Sequence, residues 1–130
     1  MSKGADFNRV KLDQGVTNYL QYLQSTTGLT PNYLARTGLC YSLSEPRPPN
    51  PEEYDTDGKA INRYTLLGEH DPLYIAMVRQ RLINEGRDPD EELYKYFVAH
   101  TNRGIKTLNG RIDSLADFYD VLPGGLKPDE

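Results

Sequence analysis

Apolar and polar residues alternate in "FNRVKL": Phe7, Arg9 and Lys11 point one way, Asn8, Val10 and Leu12 the other. A period of two predicts a short strand with one half-buried face. The period then changes. In "DQGVTNYLQYLQSTTG", Val16, Tyr19, Leu20 and Leu23 fall at i, i+3, i+4 and i+7, the stripe of an amphipathic helix. Asp13 is the expected N-cap and Gly28 the expected left-handed stop. Thr30 followed by Pro31 restarts a helix, since a capping oxygen precedes a proline at the first helical position, where no amide hydrogen is missed. Leu29 and Leu34 have the spacing of a hydrophobic staple. This second helix runs to about Ser44. Gly38 inside it costs roughly 1 kcal/mol relative to alanine, for which close backbone packing is the usual compensation.

From Glu45 to Lys59, "EPRPPNPEEYDTDGK", four prolines and an Asp-Gly pair predict a loop, partly polyproline-like. "INRYTLL" reads as a second short strand or extended segment. Two further helices have matching starts. Asp71 caps "HDPLYIAMVRQRLINEG" ahead of Pro72, with Gly86 as the stop; Asp88 caps "RDPDEELYKYFVAHTNRG" ahead of Pro89, with Gly104 as the stop. Acids in the first turn and Arg103 near the end complement the helix dipole, and Leu93, Tyr96, Phe97 and His100 share a stripe. Leu108, Ile112, Leu115, Tyr119 and Leu122 suggest a final helix before "PGG". The fold expected is mainly α. It is a single compact domain over 1–130, with a strand–helix–helix half (1–44), a proline-rich loop (45–60) and a helical half (61–122).

Composition narrows the chemistry. The chain has 130 residues, 37% hydrophobic, with no apolar run long enough to span a bilayer and no secretory signal pattern. Its single cysteine cannot form an internal disulfide, which agrees with a reducing cytoplasm. His70 and His100 have no Cys or His at ligand spacing, so neither a zinc site nor any other cofactor is expected. There is no Gly-rich phosphate loop, no H-E-x-x-H, no nucleophile elbow and no C-x-x-C. Cys40 reads as a buried, inert thiol and His100 as a core-edge histidine. Glu52–Glu53 and Glu91–Glu92 read as solubilising or capping pairs. Nothing in the chain calls for an enzyme.

Net charge is −4, which argues against a strongly basic nucleic-acid binder. The distribution is uneven. Residues 1–44 carry Lys3, Arg9, Lys11 and Arg36 against Asp6 and Asp13. Leu93 to Ile112 holds Lys95, Arg103, Lys106 and Arg111 and no acid. Such a run is either a solvated helix face or a positive surface, because fields depend on arrangement rather than totals.

The order strand, helix, Gly-turn with Thr and Pro, helix is also that of a ribbon–helix–helix unit. There the outward strand residues enter the major groove and the second helix start meets a phosphate. Arg9 and Lys11 would point out, with Thr30 and Asn32 at the helix start; a plain helical hairpin has the same order. Ten tyrosines, among them Tyr19, Tyr22, Tyr33 and Tyr41 around the first two helices, suit either a core rim or a subunit interface. With two short strands only, an unpaired strand would expose its edge, which leans the expectation toward an oligomer.

The run "RVKLDQGVTNYLQYLQSTTGLTPNYLARTGLCYSLSEP" resembles the N-terminal half of the DNA sulfur modification family DndE, and "LLGEHDPLYIAMVRQRL" and "HTNRGI" resemble its second half. The likeness covers about residues 9–122. It implies a small helical subunit of the machinery that replaces a non-bridging phosphate oxygen of DNA with sulfur. Such a subunit acts beside a cysteine desulfurase, an iron–sulfur partner and an ATPase-like partner. It further implies an oligomer that binds DNA, with a preference for nicked duplex. Arg9, Lys11, Arg36, Lys95, Arg103, Lys106 and Arg111 are then the phosphate contacts. Two alternatives stay open: a DNA-nicking enzyme using His100, Asn102 and Arg103, and a ribbon–helix–helix repressor.

Overall fold

A computed structural model of the chain describes residues 7–111. In chain order these form β1 (Arg9–Lys11), α1 (Gln14–Thr27), α2 (Pro31–Ser44), a 3₁₀ turn at Pro51–Glu53, β2 (Ala60–Asn62), α3 (Arg63–Leu67), a 3₁₀ turn at Gly68–His70, α4 (Asp71–Asn84) and α5 (Pro89–Arg111). The fold is mainly helical, with one small antiparallel sheet. The long helix α5 is the axis, with α1, α2 and α4 packed around it.

β1 pairs with β2 of the same chain, Val10 opposite Ile61. The alternation holds from Arg9 to Leu12, where Val10 and Leu12 are fully buried and Arg9 and Lys11 exposed, but not before it: Phe7 packs against the core, its ring centroid 5.3 Å from that of Phe97, and Asn8 is exposed. β1 thus finds its partner strand within the chain. "INRYTLL" splits. Only Ala60–Asn62 is extended, because the Asn62 side chain accepts from the amides of Tyr64 and Thr65 and starts α3.

The caps of the first half stand as expected. Asp13 Oδ1 accepts from Gly15 at 2.7 Å and Val16 at 3.2 Å. Gly28 closes α1 at φ 75°, and Thr30 Oγ1 accepts from Tyr33 at 3.3 Å. In the second half Asp88 caps as expected, accepting from Asp90 at 2.9 Å, and Gly86 stops α4 at φ 77°. Asp71 does not cap. It lies inside α4, and its carboxylate grips the buried Arg63 guanidinium through two bonds of 2.8 and 2.9 Å.

Gly104 is the larger correction. It ends nothing: α5 continues to Arg111 through it. A glycine stops a helix only by turning left-handed, and among the described residues only Gly28, Gly68 and Gly86 have positive φ. Gly104 instead faces Gly38, backbone against backbone, where α2 crosses α5. Leu108 of the expected final helix belongs to α5; Ile112, Leu115, Tyr119 and Leu122 lie outside the described residues.

The core is continuous across these elements. It takes Val16, Leu20 and Leu23 from α1, Leu34 and Leu39 from α2, Ile75, Val78 and Leu82 from α4, and Leu93, Phe97, Ile105 and Leu108 from α5. Each side chain so buried contributes roughly 1.5–3 kcal/mol, which outweighs the roughly 1 kcal/mol that a glycine inside α1, α2 or α5 costs the helix. Tyr19, on the expected stripe, sits at its edge, 36% exposed.

Candidate nucleic-acid interface

An α-helix ends with carbonyls that have no helical partner, at the negative end of its dipole. At the end of α2 two arginines from other helices take them. Arg81 of α4 donates to the carbonyls of Leu43 (3.0 Å), Glu45 (2.7 Å) and Pro46 (2.9 Å). Arg103 of α5 donates to the Ser42 carbonyl (2.9 Å), the Ser42 hydroxyl (2.8 Å) and the Arg47 carbonyl (2.6 Å). The proline-rich segment is therefore pinned at its start. Its far end is pinned too, since Asp13 Oδ2 accepts from Asp55 at 3.0 Å and the Gly58 amide reaches the Leu12 carbonyl at 2.9 Å.

Between this loop and the last turns of α5 lies a pocket of about 530 Å³, lined by Tyr41, Arg47, Glu53, Tyr54, Arg103 and Arg111 among others. A shallower groove on the same face adds Lys106. Arg111 rests on the Tyr41 ring, its guanidinium carbon 5.3 Å from the centroid. Burial pushes the Arg103 guanidinium down from its ordinary value, and Arg81 and Arg47 add to this against Glu45; it stays charged, as arginine does in proteins. Positive charge is thus crowded on one face of an acidic protein.

Of the residues singled out from sequence, the fold brings Arg103, Lys106 and Arg111 together here. Lys95 lies nearby, across the Tyr54 ring, in a neighbouring groove of about 230 Å³. The others lie elsewhere. Thr30 and Asn32 are at the opposite end of α2, roughly 15–18 Å from Ser42 at 1.5 Å per residue. Arg36 bonds to the α3 carbonyls of Leu66 (2.7 Å) and Thr65 (3.5 Å). Arg9 and Lys11 stand exposed on β1. Arg47 and Tyr54 escaped the sequence reading. An arginine set between prolines was the available signal.

Arg103 apart, the "HTNRG" stretch is spent on architecture. His100 is fully buried, with Nδ1 2.8 Å from the Ser42 hydroxyl. Thr101 bonds to the Phe97 carbonyl at 2.9 Å. Asn102, also fully buried, accepts from the Asp13 amide at 2.9 Å and donates to the Val98 carbonyl at 2.9 Å. A nicking site on His100 and Asn102 would thus sit inside the core. Burial first, then Arg103 and Arg81, drives the His100 pKa down to about 3, so the ring is neutral at pH 7; its Nε2 has no partner. Cys40 is half-buried rather than buried, 3.8 Å from the Tyr74 hydroxyl, and burial pushes its thiol up, away from a reactive thiolate.

No described helix is long and apolar enough to cross a membrane. Comparison with known proteins agrees with the family resemblance. The model of the DNA sulphur modification protein DndE family matches residues 9–115. Among solved structures, the chain is similar to DndE from Escherichia coli B7A, involved in DNA phosphorothioation modification. The two are 26% identical with a TM-score of 0.65, over 78% of this chain and 96% of that one. A G21/24K mutant of DndE involved in DNA phosphorothioation matches at 25% identity and TM-score 0.63, over 78% and 97%. No curated protein matches. With most of its length covered by the family model and a helical fold shared with solved members, the chain belongs to the DndE family of DNA sulphur modification proteins.

Proposed function

We propose that this chain is an accessory, non-enzymatic subunit of the DNA phosphorothioation machinery that binds the backbone of duplex or nicked DNA as an oligomer. The observation that carries the reading is the convergence of Arg47, Arg103, Lys106 and Arg111 on one face. Phosphate contacts position a protein on DNA without reading sequence, which suits a subunit that holds substrate for others. Exposed Tyr19, Tyr22 and Tyr33 offer rings for contacts with further copies or with other subunits of the machinery.

Affinity for nicked and intact duplex, measured across salt concentrations, tests the reading. Each neutralised phosphate adds about −0.9 to the slope of log affinity against log salt. Arg47→Ala, Lys106→Ala and Arg111→Ala should each flatten that slope by about 1. A salt-independent affinity, or slopes unchanged in all three variants, would refute it. Light scattering on the same samples reads the oligomeric state, and a strict monomer with and without DNA would remove that part.

A further inference from the structure

We propose that the pocket between the proline-rich loop and the end of α5 takes a single nucleotide unit, a base joined to a phosphate, and not a bare phosphate. The inference rests on the DNA-binding reading and names what this part of the face receives.

Size is the first argument. A volume of about 530 Å³ is that of small-molecule sites, roughly 300–1,000 Å³, and far exceeds what one phosphate fills. The second is the mixed lining. Arg47, Arg103 and Arg111 supply donors for a phosphate, but Glu45 and Glu53 line the same pocket. Against a bare anion or a smooth duplex backbone these carboxylates only repel. Against a nucleotide they have a use, because the exocyclic amino groups of bases donate hydrogen bonds that a carboxylate accepts.

The third argument is the aromatic wall. Arg111 covers Tyr41, whereas the half-buried Tyr54 contributes to this pocket and to both neighbouring grooves. Burial and the adjacent Glu53 push its phenol up, so it stays neutral. Bases stack on such rings regardless of sequence.

The pocket is also preorganised. Arg103 is held by Ser42 and by the Arg47 carbonyl, so its position is set before any ligand arrives. A base paired inside a duplex cannot enter. The occupant is therefore a free nucleotide, or a DNA nucleotide that is unstacked at an end, a gap or an extrahelical position.

Calorimetric titration of the whole chain with dCMP, dAMP, inorganic phosphate and deoxycytidine tests this. A nucleotide should bind at least ~10-fold more tightly than inorganic phosphate or the nucleoside. Tyr54→Ala should remove that advantage and Tyr54→Phe keep it, since one stacked base contributes on the order of 10-fold. A fluorescent adenine analogue, placed unpaired in a duplex, identifies the source. Quenching that Arg47→Ala reverses assigns the pocket to DNA; mononucleotide binding without quenching assigns it to free nucleotide. Equal affinity for nucleotide and inorganic phosphate, no binding of either, or indifference to Tyr54→Ala in a folded variant overturns the proposal. If duplex binding then keeps its salt slope and its dependence on Lys106, the DNA-binding reading survives alone. Mononucleotide binding without any duplex binding would do the reverse.

Discussion

Gly38 and Gly104 meet backbone to backbone where α2 crosses α5. A Cβ on Gly38 would stand 2.8 Å from the Ile105 amide nitrogen and 2.9 Å from the Gly104 carbonyl carbon, and one on Gly104 would collide with the Gly38 carbonyl. The two glycines let the principal helix pair of the core approach as closely as main chains can.

Gly104→Ala should therefore destabilise the fold by about 3 kcal/mol or more, the upper range for overpacking a core. Gly38→Ala should follow it in direction. Gly110, also in α5, has nothing within 4 Å of an added Cβ, and Gly110→Ala should stabilise by up to ~1 kcal/mol through helix propensity alone. Urea denaturation of the three variants checks the ranking; a stabilised Gly104→Ala would break this account of the crossing.

Removing one partner of the Arg63–Asp71 pair should cost more than its position near the surface suggests. Arg63 is 8% and Asp71 14% exposed at the side chain, and the guanidinium also donates to the Phe7 carbonyl at 3.0 Å. Asp71→Asn leaves a nearly buried cation short of its counter-charge, a loss of about 3 kcal/mol. Replacing both by apolar residues of similar size should recover much of it, which a double-mutant cycle measures.

His100 makes stability fall with acid. The unfolded ring takes a proton near its ordinary 6.5, whereas the folded ring waits until about 3. Above pH 6.5 the group has no effect. Between the two values the unfolded state binds the extra proton, so stability drops by up to about 1.4 kcal/mol per pH unit as pH falls. His100→Gln should flatten that part of the profile whatever its own cost at pH 7; an unchanged slope between pH 6 and pH 4 would contradict the assignment.

The two N-caps should differ. Thr30 makes one exposed bond of 3.3 Å, and Thr30→Ala should cost about 0.5–1 kcal/mol. Asp13 caps with two bonds and holds Asp55 with a third. Burial alone would raise its carboxyl, yet these amides of Asp55, Val16 and Gly15 hold it below the usual range. Asp13→Ala should cost about 2 kcal/mol, and thermal unfolding separates the two variants.

Much of the local structure was legible from residues alone. Asp13, Gly28, Thr30-Pro31, Gly86 and Asp88 act within one turn of themselves, so their chemistry needs no tertiary partner to be read. The alternation around Val10 and the stripe of Val16, Leu20 and Leu23 likewise follow from one face being dry. Where local signals misled, a distant residue had intervened. Gly104 looked like a helix end until Gly38 came up against it, and Asp71 looked like a cap until Arg63 took its carboxylate.

The candidate site divides the same way. The run of cations from Lys95 to Arg111 is visible in the sequence. Which of them share a face is not, because that depends on where the proline-rich loop is tied down, and Arg81 and Arg103 tie it through main-chain carbonyls that any residue could offer. A backbone acceptor leaves no mark in the side-chain sequence. So the sequence by itself determined the main helix starts, the caps that act within one turn, and the family. Only the tertiary structure carried Arg47 and Tyr54 to Arg103 and made a pocket between them.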